Sequence, residues 1–282
     1  MNLSKSCQLF GISRQAIYKQ ERSQLDKQIV LSKVKIMVRS QRMEMPRVGT
    51  RKLYHLLQED FKRNNLKIGR DKLFNYLRIG HLLVKPRKSY TRTTWSKHWL
   101  RKHPNLVKGF TADKAEQLWV SDITYIKTQK QNCYLSLVTD AYSRRIMGYY
   151  VSEDLRTENM MCALKMAVAD RVYRHALIHH SDRGIQYCAE PYQLLLEKHC
   201  IRCSMTDGYD CYQNALAERI NGILKNEFLL QMPNDINQLR LMVKQSVNTY
   251  NNKRPHLALN MKTPNQVHKE KSLIDIAIRD IY

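Results

Sequence analysis

The sequence predicts an α/β domain built on a mixed sheet, with a small all-α domain ahead of it. Three observations carry this reading. Up to about residue 80 the apolar residues recur at helical spacing. From about Gln117 short strand-like runs take over, three in succession and then alternating with helices. Between Lys72 and Ala112 lies a stretch with ten cations and no acidic residue. Successive strands joined by short turns pair antiparallel, and strands separated by helices pair parallel, so five strands make one mixed sheet flanked by helices. The expected boundaries are 1–80 for the helical region, 81–112 for a basic linker, 113–230 for the α/β core and 231–282 for a helical extension of that core.

The elements follow in order. Residues 6–10 and 12–19 read as two short helices, with Gly11 in the turn and Ser13 capping the second. A helix-turn-helix of this kind would offer Arg14, Gln15 and Lys19 to a DNA groove. Its plain alternative is an ordinary helical hairpin. Ile29, Val30, Val34 and Val38 continue at helical spacing until Pro46 and Gly49 break the pattern. Leu53, Leu56, Leu57 and Phe61 mark a further helix, and Leu73, Phe74 and Leu77 a last one that stops at Gly80. In the core, strands are expected at 118–126, 134–139, 146–151, 176–180 and around Ile201. Helices are expected at 157–171, at 191–199, from Asn214 onward and after Asp235, the last with Leu239, Val243, Val247 and Tyr250 on one face.

Charge is the loudest global signal. The 282 residues carry 48 Lys+Arg against 25 Asp+Glu, a net +23. Such an excess favours a polyanionic partner. No apolar run approaches the ~20 residues of a membrane span, so nucleic acid is preferred over a membrane, in the cytoplasm. In the acid-free stretch Arg87, Lys88, Arg92, Arg101 and Lys102 interleave with Tyr90, Trp95 and Trp99, a pattern suited to a phosphate backbone, although a solvated linker has the same composition. The seven cysteines are odd in number and scattered, against a disulfide framework. Cys200 and Cys203 form one C-x-x-C without a second pair, short of the four ligands of structural zinc, and read as small apolar residues of a buried strand.

Three carboxylates stand out by position. Asp122 interrupts an apolar, hydroxyl-bearing strand; Asp182 ends the strand 176–180, where ligands of α/β sheets collect. Glu218 lies one turn into the helix that begins at Asn214, thirty-five residues beyond Asp182. On that helix Glu218, Asn221, Gly222 and Lys225 fall together, opposite Leu216, Ile220, Ile223, Leu224 and Phe228. Lys225 could take a DNA phosphate as a point charge, and Asn221 on the same face is a further DNA-contacting candidate. Carboxylate oxygens suit Mg²⁺ or Mn²⁺, and a pair of such ions activates an oxygen nucleophile and steadies a leaving oxygen in phosphodiester chemistry. Taken singly, each acid has an ordinary reading as a cap, an ion-pair partner or a solvated side chain.

At these residues the chain resembles the second-reading-frame (OrfB-type) transposases of bacterial insertion sequences, whose core is of the retroviral integrase kind. The run 119–126 (WVSDITYI) resembles the family's first-aspartate strand, 180–187 (HSDRGIQY) its second-aspartate motif, and Asn214 to Glu218 with Lys225, Glu227 and Phe228 its glutamate helix. Tyr250, Asn251, Arg254, Pro255, His256, Thr263 and Pro264 resemble its C-terminal motif. The resemblance implies an RNase H-like fold and a catalytic, metal-binding set of Asp122, Asp182 and Glu218. It further implies Mg²⁺-dependent strand cleavage and transfer at element ends, with Mn²⁺ as a substitute. Double-stranded DNA, further copies of the chain and an upstream helix-turn-helix frame fused by frameshifting would be the partners. Gln213 departs from the family's Asp before the Asn, which alters the helix cap and leaves the three acids in place.

Two other functions compete. A non-catalytic DNA-binding regulator would use residues 1–80 and need no carboxylate set. A general RNase H-type nuclease would want a fourth carboxylate, for which Glu153 or Asp154 are the nearby candidates.

Overall fold

A computed structural model describes residues 7, 9–85, 100–207 and 214–270. The chain divides into two compact units, Met1–Pro86 and Arg87–Tyr282.

In the first unit the turn at Gly11 has φ +63°, the left-handed conformation that glycine adopts without strain. Ser13 then caps α1 (Arg14–Glu44), its Oγ accepting from the Ala16 amide at 3.1 Å. The expected second short helix and the following periodic stretch are one continuous helix of 31 residues. No Gly or Pro interrupts 14–44, so nothing stops it before Pro46. Only Val34 and Val38 of α1 are buried. They join a small core with Leu53 of α2 (Thr50–Leu56), Phe61 of α3 (Gln58–Arg63), and Leu73 and Leu77 of α4 (Arg70–Ile79).

The second unit is a five-stranded sheet in the order β3-β2-β1-β4-β5. β1 (Leu118–Lys127), β2 (Asn132–Asp140) and β3 (Ile146–Ser152) form an antiparallel meander, while β4 (Leu177–Ser181) and β5 (Ile201–Met205) run parallel to β1. This is the topology of an RNase H-like fold, reached through helical crossovers. One face is covered by α5 (Thr157–Ala169), the short α6 (Ile185–Cys188) and α7 (Glu190–Lys198), around Trp119, Leu164 and Leu196. The other is covered by α8 (Ala215–Ile223) and α9 (Ile236–Asn252), around Leu135, Ile220 and Val243. Gly148 makes the first contact possible. A Cβ there would sit 2.0 Å from the Ala163 carbonyl oxygen, so only glycine lets α5 lie this close to β3.

A buried polar knot closes the end of the sheet where β1 begins. Glu116, with φ +62° and no exposure, accepts from the amides of Val172 (3.0 Å) and Tyr173 (2.8 Å) and from His268 Nε2 (3.1 Å). Asp140 accepts from the Glu116 amide (2.6 Å) and from the Ser143 amide and hydroxyl, and Ser143 Oγ meets His268 Nδ1 at 2.9 Å. The helical turn at 264–270 is thereby tied to the sheet. Cys203 lies half-buried on β5, and Cys200 is exposed in the turn before it. No helix among the described residues is long and apolar enough to cross a membrane.

Candidate active site

Alternate residues of a strand face opposite sides of its sheet. Along β1, Trp119 and Ile123 enter the core around α5 and α7, whereas Leu118, Val120 and Ile126 pack toward α8 and α9. Asp122 and Thr124 belong to the second set, and both touch the helix above. Asn221 Nδ2 donates to Asp122 Oδ2 at 2.8 Å, and Lys225 Nζ donates to Thr124 Oγ1 at 3.0 Å while lying 4.7 Å from the centre of the Tyr125 ring.

Strand register brings in the second acid. Val120 pairs with His180 across the parallel β1–β4 ladder, so Asp122 and Asp182 stand two residues further along neighbouring strands. Asp182 lies just past the end of β4, where its Oδ1 accepts from the Gly184 amide at 3.0 Å and closes the turn into α6. Glu218 is in the first turn of α8, exposed, one turn before Asn221. Asn214, at the N-cap, spends its side chain on β1 instead of on the helix, Nδ2 donating to the Ser121 carbonyl at 3.0 Å. Together Asn214 and Asn221 stake α8 to the strand that carries Asp122. Gln213 lies outside the described residues.

The electrostatics report the crowding. Burial, then Asp182, then Glu218 push the Asp122 carboxyl up to about 7, against the opposing bond from Asn221. Burial and then Asp182 raise Glu218 as well. Burial lowers Lys225, with Tyr125 and Asp122 resisting. So the three acids act on one another, and Lys225 lies within reach of their field. Behind them, His179 Nε2 meets Ser121 Oγ at 2.7 Å and the Tyr192 hydroxyl at 3.1 Å, and burial drives its pKa down to about 3, leaving a neutral imidazole. The buried Tyr187 hydroxyl has no hydrogen-bond partner among the described residues, and it is raised by burial, by Tyr192, and by Asp182 and Asp122.

Helix α8 continues into a π-helical turn, Leu224–Phe228, that carries Lys225 and Glu227. Arg254 holds Glu227 with two bonds, at 2.8 and 2.7 Å; it also meets His256 Nε2 at 2.9 Å and lies 5.7 Å from the Tyr250 ring centre. Asn251 binds both the amide and the carbonyl of Ile146, at 3.0 and 2.9 Å. The C-terminal motif therefore braces the site from behind. The bonds to Glu227 and to Ile146 are not visible in the spacing of the residues, because those partners lie 27 and 105 residues away.

Among the other residues singled out, Arg14, Gln15 and Lys19 are exposed on the first turns of α1, and Arg101 and Lys102 are exposed in the second unit. Arg87, Lys88 and Arg92 lie outside the described residues. Asn221, expected beside Lys225 as a DNA contact, is buried and bonded to Asp122. Asp154 is held by Arg156 and Asn159 at the end of β3, two strands away from β1, so it does not add a fourth acid beside Asp122.

Could such a site hold a divalent cation? Among the described residues no group of three or more His, Cys, Asp or Glu side chains is gathered closely enough to hold a metal ion. Magnesium rarely needs one: it keeps several waters and binds through one or two carboxylates together with substrate phosphates. Two partly desolvated carboxylates that feel each other's charge, one on β1 and one just past the end of the neighbouring β4, fit that manner of binding.

Two family models, each described as an integrase core domain, match residues 112–211 and 199–264. The insertion element IS600 uncharacterized 31 kDa protein of Shigella sonnei is 33% identical over 269 residues, covering 92% of this chain and 95% of that protein. The transposase InsF for insertion sequence IS3A of Escherichia coli (strain K12) is 35% identical over 152 residues, covering 54% of this chain and 53% of InsF. Among solved structures, the HTLV-2 integrase catalytic core domain in complex with magnesium is similar at 21% identity and a TM-score of 0.46, covering 56% of this chain and 99% of that one. With a relative matched along nearly its whole length and the integrase core matched from 112 to 264, the chain belongs to the insertion-sequence transposases built on an integrase core.

Proposed function

We propose that this transposase cuts and joins DNA strands at the ends of its element with Asp122, Asp182 and Glu218 as the metal-binding, catalytic set. The observation that carries the proposal is the placement of Asp122 on β1 and Asp182 just past the end of β4, each two residues beyond the paired Val120 and His180, with α8 fastened to β1 by the 2.8 Å bond from Asn221 to Asp122. Asp122 and Asp182, with Glu218 reaching from α8, would hold Mg²⁺, which when bound activates the attacking oxygen and neutralises the leaving one; Mn²⁺ offers the same hard-oxygen chemistry. The remaining roles belong to the chain's own residues. Asn221 fixes one Asp122 oxygen, so the carboxylate keeps a single orientation. Thr124 and the Tyr125 ring hold Lys225 extended, as a point charge for a DNA phosphate.

The net charge of +23 suits a duplex partner. We assign the phosphate contacts outside the site to Arg101 and Lys102, with Arg14, Gln15 and Lys19 reading element ends, and to the basic stretch containing Arg87, Lys88 and Arg92. The active assembly holds several copies of the chain, with an upstream frame as a further partner. Asp182→Asn tests the catalytic assignment. In Mg²⁺ the variant should bind element ends with unchanged affinity and yield no strand-transfer product. Joining at the wild-type rate would overturn the assignment.

A further inference from the structure

Helix α1 carries an apolar stripe that its own unit does not cover. Tyr18, Leu25, Ile29, Ile36 and Met43 are 56, 58, 47, 68 and 86% exposed. At 100° per residue all five fall within about 20° of a single line along the helix, roughly 37 Å long. The buried pair, Val34 and Val38, lies on the opposite side. From Arg14 to Ile29 no residue of α1 is buried, so among the described residues of its own unit its N-terminal half gains little from packing. Isolated helices of that length are marginal in water, since most helical stability comes from a packed face.

We propose that this stripe is a self-association surface on which α1 of a second copy of this chain packs antiparallel. Two features single out that occupant. The first is the spacing, in which Tyr18 and Met43, and Leu25 and Ile36, are mirror-related about the point between Val30 and Leu31, with Ile29 close to that point. Reversing the helix sets Tyr18 against Met43, Leu25 against Ile36, and Ile29 beside its own counterpart at the two-fold axis. The second is charge. Asp26 and Lys33 flank the stripe on one side, Glu21 and Arg39 on the other, and all four are exposed. In an antiparallel pair each flank faces the same flank of the other copy, so Asp26 meets Lys33 and Glu21 meets Arg39, each interaction formed twice. A parallel pair would face the Lys33 flank with Lys35 and Arg39, a like-charge contact that opposes assembly. Arg14 and Gln15 lie past the paired stretch and stay uncovered. The inference stands apart from the catalytic assignment and uses none of its residues.

Sedimentation velocity of the full chain without DNA, from one to tens of micromolar, tests it. A concentration-dependent monomer–dimer equilibrium is expected. Leu25→Asp with Ile36→Asp should lower the association constant roughly tenfold or more, by placing charge in an apolar contact. Asp26→Lys alone should also weaken association, and adding Lys33→Asp should restore it, because the exchanged pair keeps its complementarity only in the antiparallel arrangement. Helical circular dichroism at wild-type level in the monomeric variants excludes unfolding as the cause. A wild-type chain that stays monomeric across this range, a Leu25→Asp/Ile36→Asp variant that associates normally, or a double charge exchange without rescue would each overturn the proposal. Lost DNA binding with unchanged self-association would do so too, by assigning the stripe to nucleic acid.

Discussion

Replacing Arg254 with alanine separates the bracing role of the C-terminal motif from the chemistry it supports. The guanidinium is 2% exposed and engages both Glu227 oxygens, at 2.8 and 2.7 Å. Removing it leaves a carboxylate partly buried without its partner, a change that costs about 3–5 kcal/mol in closed interiors. The Glu227 side chain is 22% exposed, so water recovers part of this and the lower end, about 3 kcal/mol, applies. In a domain of this size that lowers Tm by about 6–12 °C. Calorimetry on the wild type and on Arg254→Ala reads the shift directly. Arg254→Lys, which keeps the charge and loses the fork, should fall in between. The same loss frees the π-helical turn that carries Lys225, so strand transfer should drop even well below Tm. A Tm within about 2 °C of wild type, or strand transfer at the wild-type rate, would refute the reasoning.

Asn221→Ala removes a hydrogen bond to a carboxylate, worth about 1.5–3 kcal/mol. Strand transfer should fall about ten- to hundredfold with binding to DNA ends retained, and full activity would show that Asp122 needs no orienting amide. His268 gives a pH signature. Burial pulls its pKa down, but the bonds toward Asp140 and Glu116 outweigh burial and raise it above 6.5. A raised histidine contributes stability that is complete below its unfolded pKa and is lost as pH rises through the folded one. The wild-type Tm should therefore decline more steeply than that of His268→Gln between about pH 6 and 8; parallel curves would count against the charged knot.

How far the sequence could be read depended on how local each signal was. Asp122 was legible because a carboxylate interrupts an otherwise apolar strand, and Asp182 because it ends one ahead of Arg183 and Gly184. Asn221 was not. The helical wheel groups it with Glu218 and Lys225 as a DNA-facing residue, but its partner Asp122 is 99 residues away, so nothing local marks the amide as buried. The same holds for Asn214, whose bond to Ser121 spans 93 residues, and for the Glu116–His268 contact across 152. Gly148 gave no local sign either, since its requirement is set by the backbone of α5. The unbroken α1 is a different case. The absence of Gly and Pro from 14 to 44 permits one long helix, whereas the cap at Ser13 marks only where a helix starts and says nothing of where it stops.

The candidate site also works against the fold that carries it. Asp122 is half-buried beside Asp182, and its carboxyl is pushed from 3.8 up to about 7, by burial first and by Asp182 next. A carboxylate whose folded pKa is raised destabilises the fold at every pH above its unfolded value, most fully once the pH passes the folded one. With the side chain open to some solvent, the cost at pH 8 is on the order of 2 kcal/mol. Asp122→Asn preserves shape and removes the charge, so it should raise Tm by about 4–8 °C at pH 8 without divalent metal, while abolishing strand transfer. Adding Mg²⁺ should then raise the Tm of the wild type by mass action and leave the Asn variant unmoved. An Asp122→Asn protein less stable than wild type, or one stabilised by Mg²⁺ to the same degree, would mean that the acids are not held together against their own repulsion. In that event the register of β1 and β4 would serve packing alone.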